Sequence, residues 1–221
     1  MGGETIEVDE APALAPPATG AGVAALASGS PAGDDAAFAD APPELSGPQW
    51  VARFPTASTL AGLSEPFQSN CARFIDALTA AGAQVSISAT RRPAERAFLM
   101  HYAFLVAMGK IDPGDVPDQD GVNIDWEHPN LNQSRAAAQK MVDGYRIVYA
   151  PALDSRHIQG RAVDMTISWS GALSIAAADG SQVTIDAAPC SGMNAHLWDL
   201  GIGYGVCKLR SDPPHWSDDG H

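Results

Sequence analysis

Two short segments carry the residue types that can do chemistry. Residues 155–164 read Ser-Arg-His-Ile-Gln-Gly-Arg-Ala-Val-Asp, which sets His157 and Asp164 seven residues apart around a glycine. Residues 212–216 read Asp-Pro-Pro-His-Trp, which adds His215 with a carboxylate three positions before it. Two histidines and one carboxylate form a recurrent catalytic zinc set whose fourth position is left to water. The remaining carboxylate, Asp212, is the base that such a site needs, so the expected chemistry is zinc-assisted hydrolysis.

The local sequence supports convergence of these groups. Gly160 permits a tight backbone turn, so His157 can reach back over Asp164. Pro213 and Pro214 stiffen the approach to His215 and lower the entropy lost in fixing it. Asp212 then stands close to the metal without being obliged to bind it. The HxxGxxxD pattern alone is weak, and the second segment is what gives it weight.

With both segments in view, 155–164 matches an SxHxxGxAxD signature and 212–216 a DxxHW element. Together they resemble the M15 zinc peptidases, the group of D-Ala-D-Ala carboxypeptidases and phage endolysins. That group belongs to a wider zinc superfamily that includes lysostaphin-like enzymes and the hedgehog signalling domain. The resemblance spans roughly residues 65–220. It implies a hedgehog/D,D-peptidase-like zinc fold, with His157, Asp164 and His215 as ligands of a zinc cofactor and Asp212 as general base.

The resemblance also implies an arginine after a strand, which binds substrate and steadies the oxyanion. Ala89-Thr90-Arg91-Arg92-Pro93 occupies that place. Arg92 matches the arginine because the following proline keeps the register, while Arg91 replaces the usual tyrosine and leaves the choice between the two open. Ser155, Arg91 and Trp216 are candidate substrate contacts. Ser155 reads equally as a turn residue, and Trp216 either packs beneath the metal site or is an ordinary aromatic core residue.

The resemblance further implies a substrate, the stem peptides of bacterial peptidoglycan, cut at bonds involving D-amino acids: L-Ala-D-Glu or D-Ala-containing links. The alternatives are a D-alanyl-D-alanine carboxypeptidase and a zinc-bearing wall-binding domain without catalysis.

The elements that must position these residues read as α+β: helices packed on a small, mostly antiparallel sheet. Ser64-Glu65-Pro66 starts a helix, with Phe67, Cys71, Phe74, Ile75 and Leu78 at helical spacing and Gly82 at its end. Residues 85–88 alternate like a short strand, and a second helix is predicted over 94–108. A loop over 111–132 leads to a helix over about 134–144. Residues 162–168 alternate again, with Ala162, Asp164 and Thr166 on one face and Val163, Met165 and Ile167 on the other. Residues 173–176 and 182–185 flank a turn and form a hairpin. Ser191 opens a short helix ending at Gly201, and 204–209 is expected as the last strand.

Rival sites are weaker. Asp118-Gln119-Asp120-Gly121 with Glu127 resembles part of a calcium loop, but Val116 stands where the first acidic ligand belongs. Glu127 and His128 are placed near the cleft. His101 is expected to pack or bond a backbone group, His196 to lie on the surface, and His221 to fray.

Composition sets the outer limits. The chain has 221 residues and a net charge of -13. Residues 1–48 are mostly Ala, Pro, Gly and Ser with eight acidic residues and no Lys or Arg, a composition that predicts a disordered tail. Residues 49–221 are the expected peptidase domain, with 18 acidic and 13 basic residues. No basic stripe is present, which argues against nucleic acid as a partner. No apolar run is long enough for a membrane span.

The acidic N-terminus is the reverse of a secretory signal. A wall substrate then requires unconventional delivery from the cytoplasm to the periplasm or wall. A phage holin or a contact-dependent secretion system would serve, the latter implying an antibacterial effector with an immunity protein as partner. The cysteines at 71, 190 and 207 have no CxxC spacing; Cys71 reads as core, and a Cys190–Cys207 bridge is left open.

Overall fold

Phe67, Cys71, Phe74 and Leu78 are all buried on one side of helix α1 (Phe67–Ala80). Gly82, at φ +89°, ends that helix in the left-handed conformation. The structure is a computed structural model, and it describes residues 42–221.

Strand β1 (Glu44–Leu45) precedes α1. Strand β2 (Gln84–Ala89), helix α2 (Ala94–Ala107), strand β3 (Ile124–Asp125) and helix α3 (Leu131–Tyr145) follow. Next come strands β4 (Ala162–Ser168), β5 (Leu173–Ala176) and β6 (Gln182–Ile185). Helix α4 (Ala195–Tyr204) and strands β7 (Cys207–Lys208) and β8 (His215–Ser217) complete the chain. The main sheet runs β2-β4-β8-β7 with every pair antiparallel. The chain is therefore α+β, as expected.

Two apolar cores divide the molecule. The first lies between the main sheet, α1, α4 and the β5–β6 hairpin, with Trp216, Phe74 and Ile167 at its centre. The second joins α2 to α3 around Leu99, Met141, Trp50 and Trp126. Strand β4 anchors the first core through Val163, Met165 and Ile167, all essentially buried. Each such side chain contributes roughly 1.5–3 kcal/mol by leaving water. That anchoring fixes which face Asp164 must occupy.

Several expectations need correction. The folded unit begins before the boundary expected at 48/49: β1 pairs in parallel with β3, and Ser46 is buried beside His128. Residues 1–41 of the expected tail lie outside the described residues. Helix α3 starts at Leu131 rather than Ser134, because Asn130 caps it by accepting a hydrogen bond from the Gln133 amide at 3.0 Å. Helix α4 starts at Ala195, capped by Asn194, and continues through Gly201 to Tyr204. Tyr204 thus closes a helix instead of opening a strand. The last strand is β8, which carries His215 itself.

Candidate metal centre

Asp164 lies in the middle of β4, directly opposite His215 on β8 and Ala89 on β2. Facing residues of an antiparallel pair project to the same side of the sheet, so the register alone brings Asp164 and His215 together. His157 arrives from the loop before β4. Gly160, at φ +69°, turns that loop, and its carbonyl accepts the Ser64 amide at 2.8 Å, which ties the turn to the entry of α1.

The residues after β2 hold His157 at two points. The Arg92 amide donates to the His157 carbonyl at 3.0 Å, and the His157 ring Nδ1 donates to the Thr90 carbonyl at 2.6 Å. A carbonyl only accepts, so Nδ1 carries a proton and Nε2 is the nitrogen turned to the centre. His215 does the reverse: its Nε2 donates to the His221 carbonyl at 3.2 Å, leaving Nδ1 turned to the centre.

Three donor atoms then face one point. His157 Nε2, His215 Nδ1 and Asp164 Oδ1 form a triangle with every side 3.2 Å. Ligand atoms around a tetrahedral zinc ion, each about 2.0 Å from it, stand about 3.3 Å apart. The two inner ring nitrogens can offer lone pairs to a cation, and without one they can carry protons and donate to the Asp164 carboxylate. The donor set therefore fits a metal ion. The two rings are almost fully buried, while the Asp164 side chain is 20% exposed and marks the open side.

Electrostatics agree with an ionised carboxylate. Burial pushes the Asp164 carboxyl up, but hydrogen bonds and charge from His157 and His215 outweigh it and hold the group well below the usual carboxylate range. Burial also presses the Arg92 guanidinium down from its ordinary value, against the opposing pull of Asp164.

The two arginines diverge. Arg92 is half-buried within the field of Asp164. Arg91 is exposed and lines a separate open cavity of about 440 Å³ with Pro55, Ala57, Glu95 and Ile158. Asp212 lies in the turn that returns to β8, and its carbonyl accepts the His215 amide at 3.1 Å. The Asp212 carboxylate is half-buried and has no hydrogen bond among the described residues.

Ser155 has a structural place: its carbonyl accepts the Ile158 and Gln159 amides at the start of the His157 turn. Its Oγ is buried without a hydrogen-bond partner among the described residues. Trp216 corrects an expectation. Its side chain is fully buried, packed on Phe74 at 5.7 Å between centroids, so it supports the sheet and cannot touch substrate.

Other groups fall outside the centre. His101 Nδ1 bonds the Pro151 carbonyl at 2.7 Å, and His196 is exposed. His128 pairs with Ser46, while Glu127 is exposed in the loop before α3. His221 is tied down rather than frayed, its amide donating to Ser217 Oγ at 3.0 Å. All three cysteines are free, and burial raises the Cys71 thiol to about 12.

The supporting atoms leave little trace in the sequence. Thr90 and His221 act through backbone carbonyls, which any residue supplies. Lys208 is buried at 7% exposure, and its ammonium donates to the Leu209, Asp212 and His215 carbonyls at 2.6, 2.5 and 2.9 Å. Arg156 and Arg161 pair with Asp219 and Asp218, joining the His157 loop to the segment that follows β8.

Among the described residues no helix is long and apolar enough to cross a membrane. No protein-family model matches the chain, and no curated protein matches it either.

Proposed function

We propose that the chain is a zinc-dependent peptidase acting on the stem peptides of bacterial peptidoglycan, at bonds involving D-amino acids. The observation that carries this reading is the triangle of His157, Asp164 and His215, with each imidazole oriented by a backbone carbonyl. The match of 155–164 and 212–216 to the M15 signatures supplies the substrate class. L-Ala-D-Glu and D-Ala-containing bonds are the two candidate targets.

His157, Asp164 and His215 would hold the zinc ion, which supplies a Lewis acid and acidifies water at neutral pH. Asp212 accepts the proton of the attacking water and returns it to the leaving amine. Its lack of a competing hydrogen bond leaves the carboxylate available for that work. Arg92, charged at every working pH, stabilises the oxyanion or grips a substrate carboxylate. Partial burial strengthens its field by excluding water.

Digestion of purified peptidoglycan followed by mass spectrometry of the muropeptides tests the proposal and names the bond. New peptide termini that vanish on chelation are the expected result. A carboxypeptidase releases only terminal D-Ala, and a binding domain releases nothing; the latter outcome ends the enzyme reading. Asp212→Ala should retain a full equivalent of zinc by elemental analysis while hydrolysis falls about 10²–10⁴-fold, the usual worth of a general base.

A further inference from the structure

We propose that Lys208 is a positioning residue for the metal centre, its buried ammonium fixing the turn that presents both Asp212 and His215. The inference rests on the metal reading of the His157–Asp164–His215 triangle and adds a device that holds one corner of it.

The turn between β7 and β8 closes on itself through three backbone hydrogen bonds. Asp212 N donates to Leu209 O, His215 N to Asp212 O, and Leu209 N to His215 O, at 3.2, 3.1 and 3.2 Å. Each of those three carbonyls has a second lone pair, and the Lys208 ammonium takes all of them at 2.6, 2.5 and 2.9 Å. An ammonium has three protons, and here every one is used. Pro213 and Pro214 bring no N–H to that turn, and neither Arg210 nor Ser211 donates its amide to those carbonyls.

The lysine is itself well fixed. Its stem is buried, and its Nζ lies 5.5 Å from the centre of the Trp216 ring. A lysine on a solvated strand would keep its charge in water; burial here is tolerated because three carbonyls replace that water. The consequence falls on His215, whose carbonyl and amide are both tied into the bowl and whose ring Nδ1 is a corner of the triangle. Asp212 is tied in through its carbonyl and amide in the same way. One ammonium therefore sets the directions of a metal ligand and of the candidate base together.

Lys208→Met keeps the apolar stem and removes all three donors. Lys208→Arg keeps the charge, but its planar fork cannot converge on three carbonyls around one point. Zinc affinity by competition with a chromophoric chelator and the visible spectrum of the cobalt-loaded protein read the corner geometry directly. Lys208→Met should bind zinc at least tenfold more weakly, and Lys208→Arg should shift the cobalt bands. Leu197→Ala, a cavity on α4 in the same core, should lower the melting temperature yet keep wild-type affinity and spectrum.

Wild-type affinity in a folded Lys208→Met protein overturns the inference, as does an equal loss of affinity in Leu197→Ala. Should Lys208→Met fail to fold, Lys208→Arg decides: an unchanged cobalt spectrum and affinity overturn it. Failure of wild type to bind zinc or cobalt at all is a separate result, which removes the metal reading and this inference with it.

Discussion

His157 and His215 face the same point with different nitrogens, Nε2 and Nδ1, because their outward nitrogens are claimed by different carbonyls. That pairing leaves Asp164 flanked by two rings and ionised. The carboxyl sits below its ordinary value of about 3.9 in the folded protein. A depressed carboxylate adds stability that is present above the unfolded value and lost as pH falls through the folded one. In chelator, wild type should exceed Asp164→Asn by about 1–2 kcal/mol at pH 7, and the gap should shrink as pH falls below about 4. Urea titrations across pH measure it; a gap constant down to pH 2 would contradict the assignment. The three candidate ligands are legible because their chemistry is in their side chains. Thr90, His221 and Lys208 are not, since carbonyl partners have no residue signature and a lysine reads as a surface residue.

At the scale of elements, strand β4 was readable from alternation, because Val163, Met165 and Ile167 demand one face and leave Asp164 the other. The end of the chain departs from its sequence pattern for a steric reason. Gly201 looks like a helix stop, yet it lies inside α4 because a Cβ there would stand 2.5 Å from the Val206 carbonyl and 3.1 Å from the Trp216 ring. The true stop is Gly205, at φ +76°. Strand β8 is only three residues long and follows two prolines, so it has no pattern to detect. Gly160 is different: both its φ and its surroundings demand glycine. A Cβ would meet Ser64 Oγ at 2.7 Å and the Ser64 amide at 3.1 Å. Gly160→Ala should cost about 2–3 kcal/mol, the left-handed strain of about 1–2 kcal/mol plus the clash, and should weaken zinc binding through His157. Gly180→Ala in the β5–β6 turn, at φ +86° with nothing within 4 Å, is the control. It should show the strain alone, with unchanged zinc affinity by competition titration. Equal zinc affinity in both variants would mean that the Gly160 turn does not aim His157.

At the scale of the whole molecule, the candidate metal centre sits where the main sheet meets the segment leading into α2. Asp164 and His215 belong to the sheet, whereas His157 is held by Thr90 and Arg92, which connect β2 to α2. An ion bound to all three therefore joins the sheet to the loop that α2 and its core lean on. Binding to the folded state alone stabilises it by about 2.7 kcal/mol when free zinc is 100 times the dissociation constant. For a folded unit of this size, each kcal/mol moves the midpoint by about 2–4 °C, so zinc should raise the melting temperature by about 5–10 °C over the chelated protein. The rise should vanish in His215→Ala, which keeps the sheet but removes a corner of the triangle. Calorimetry of both proteins with zinc and with chelator checks this. An equal rise in His215→Ala would place the ion elsewhere on this acidic chain, and no rise in wild type would mean that the triangle holds no metal in the folded protein.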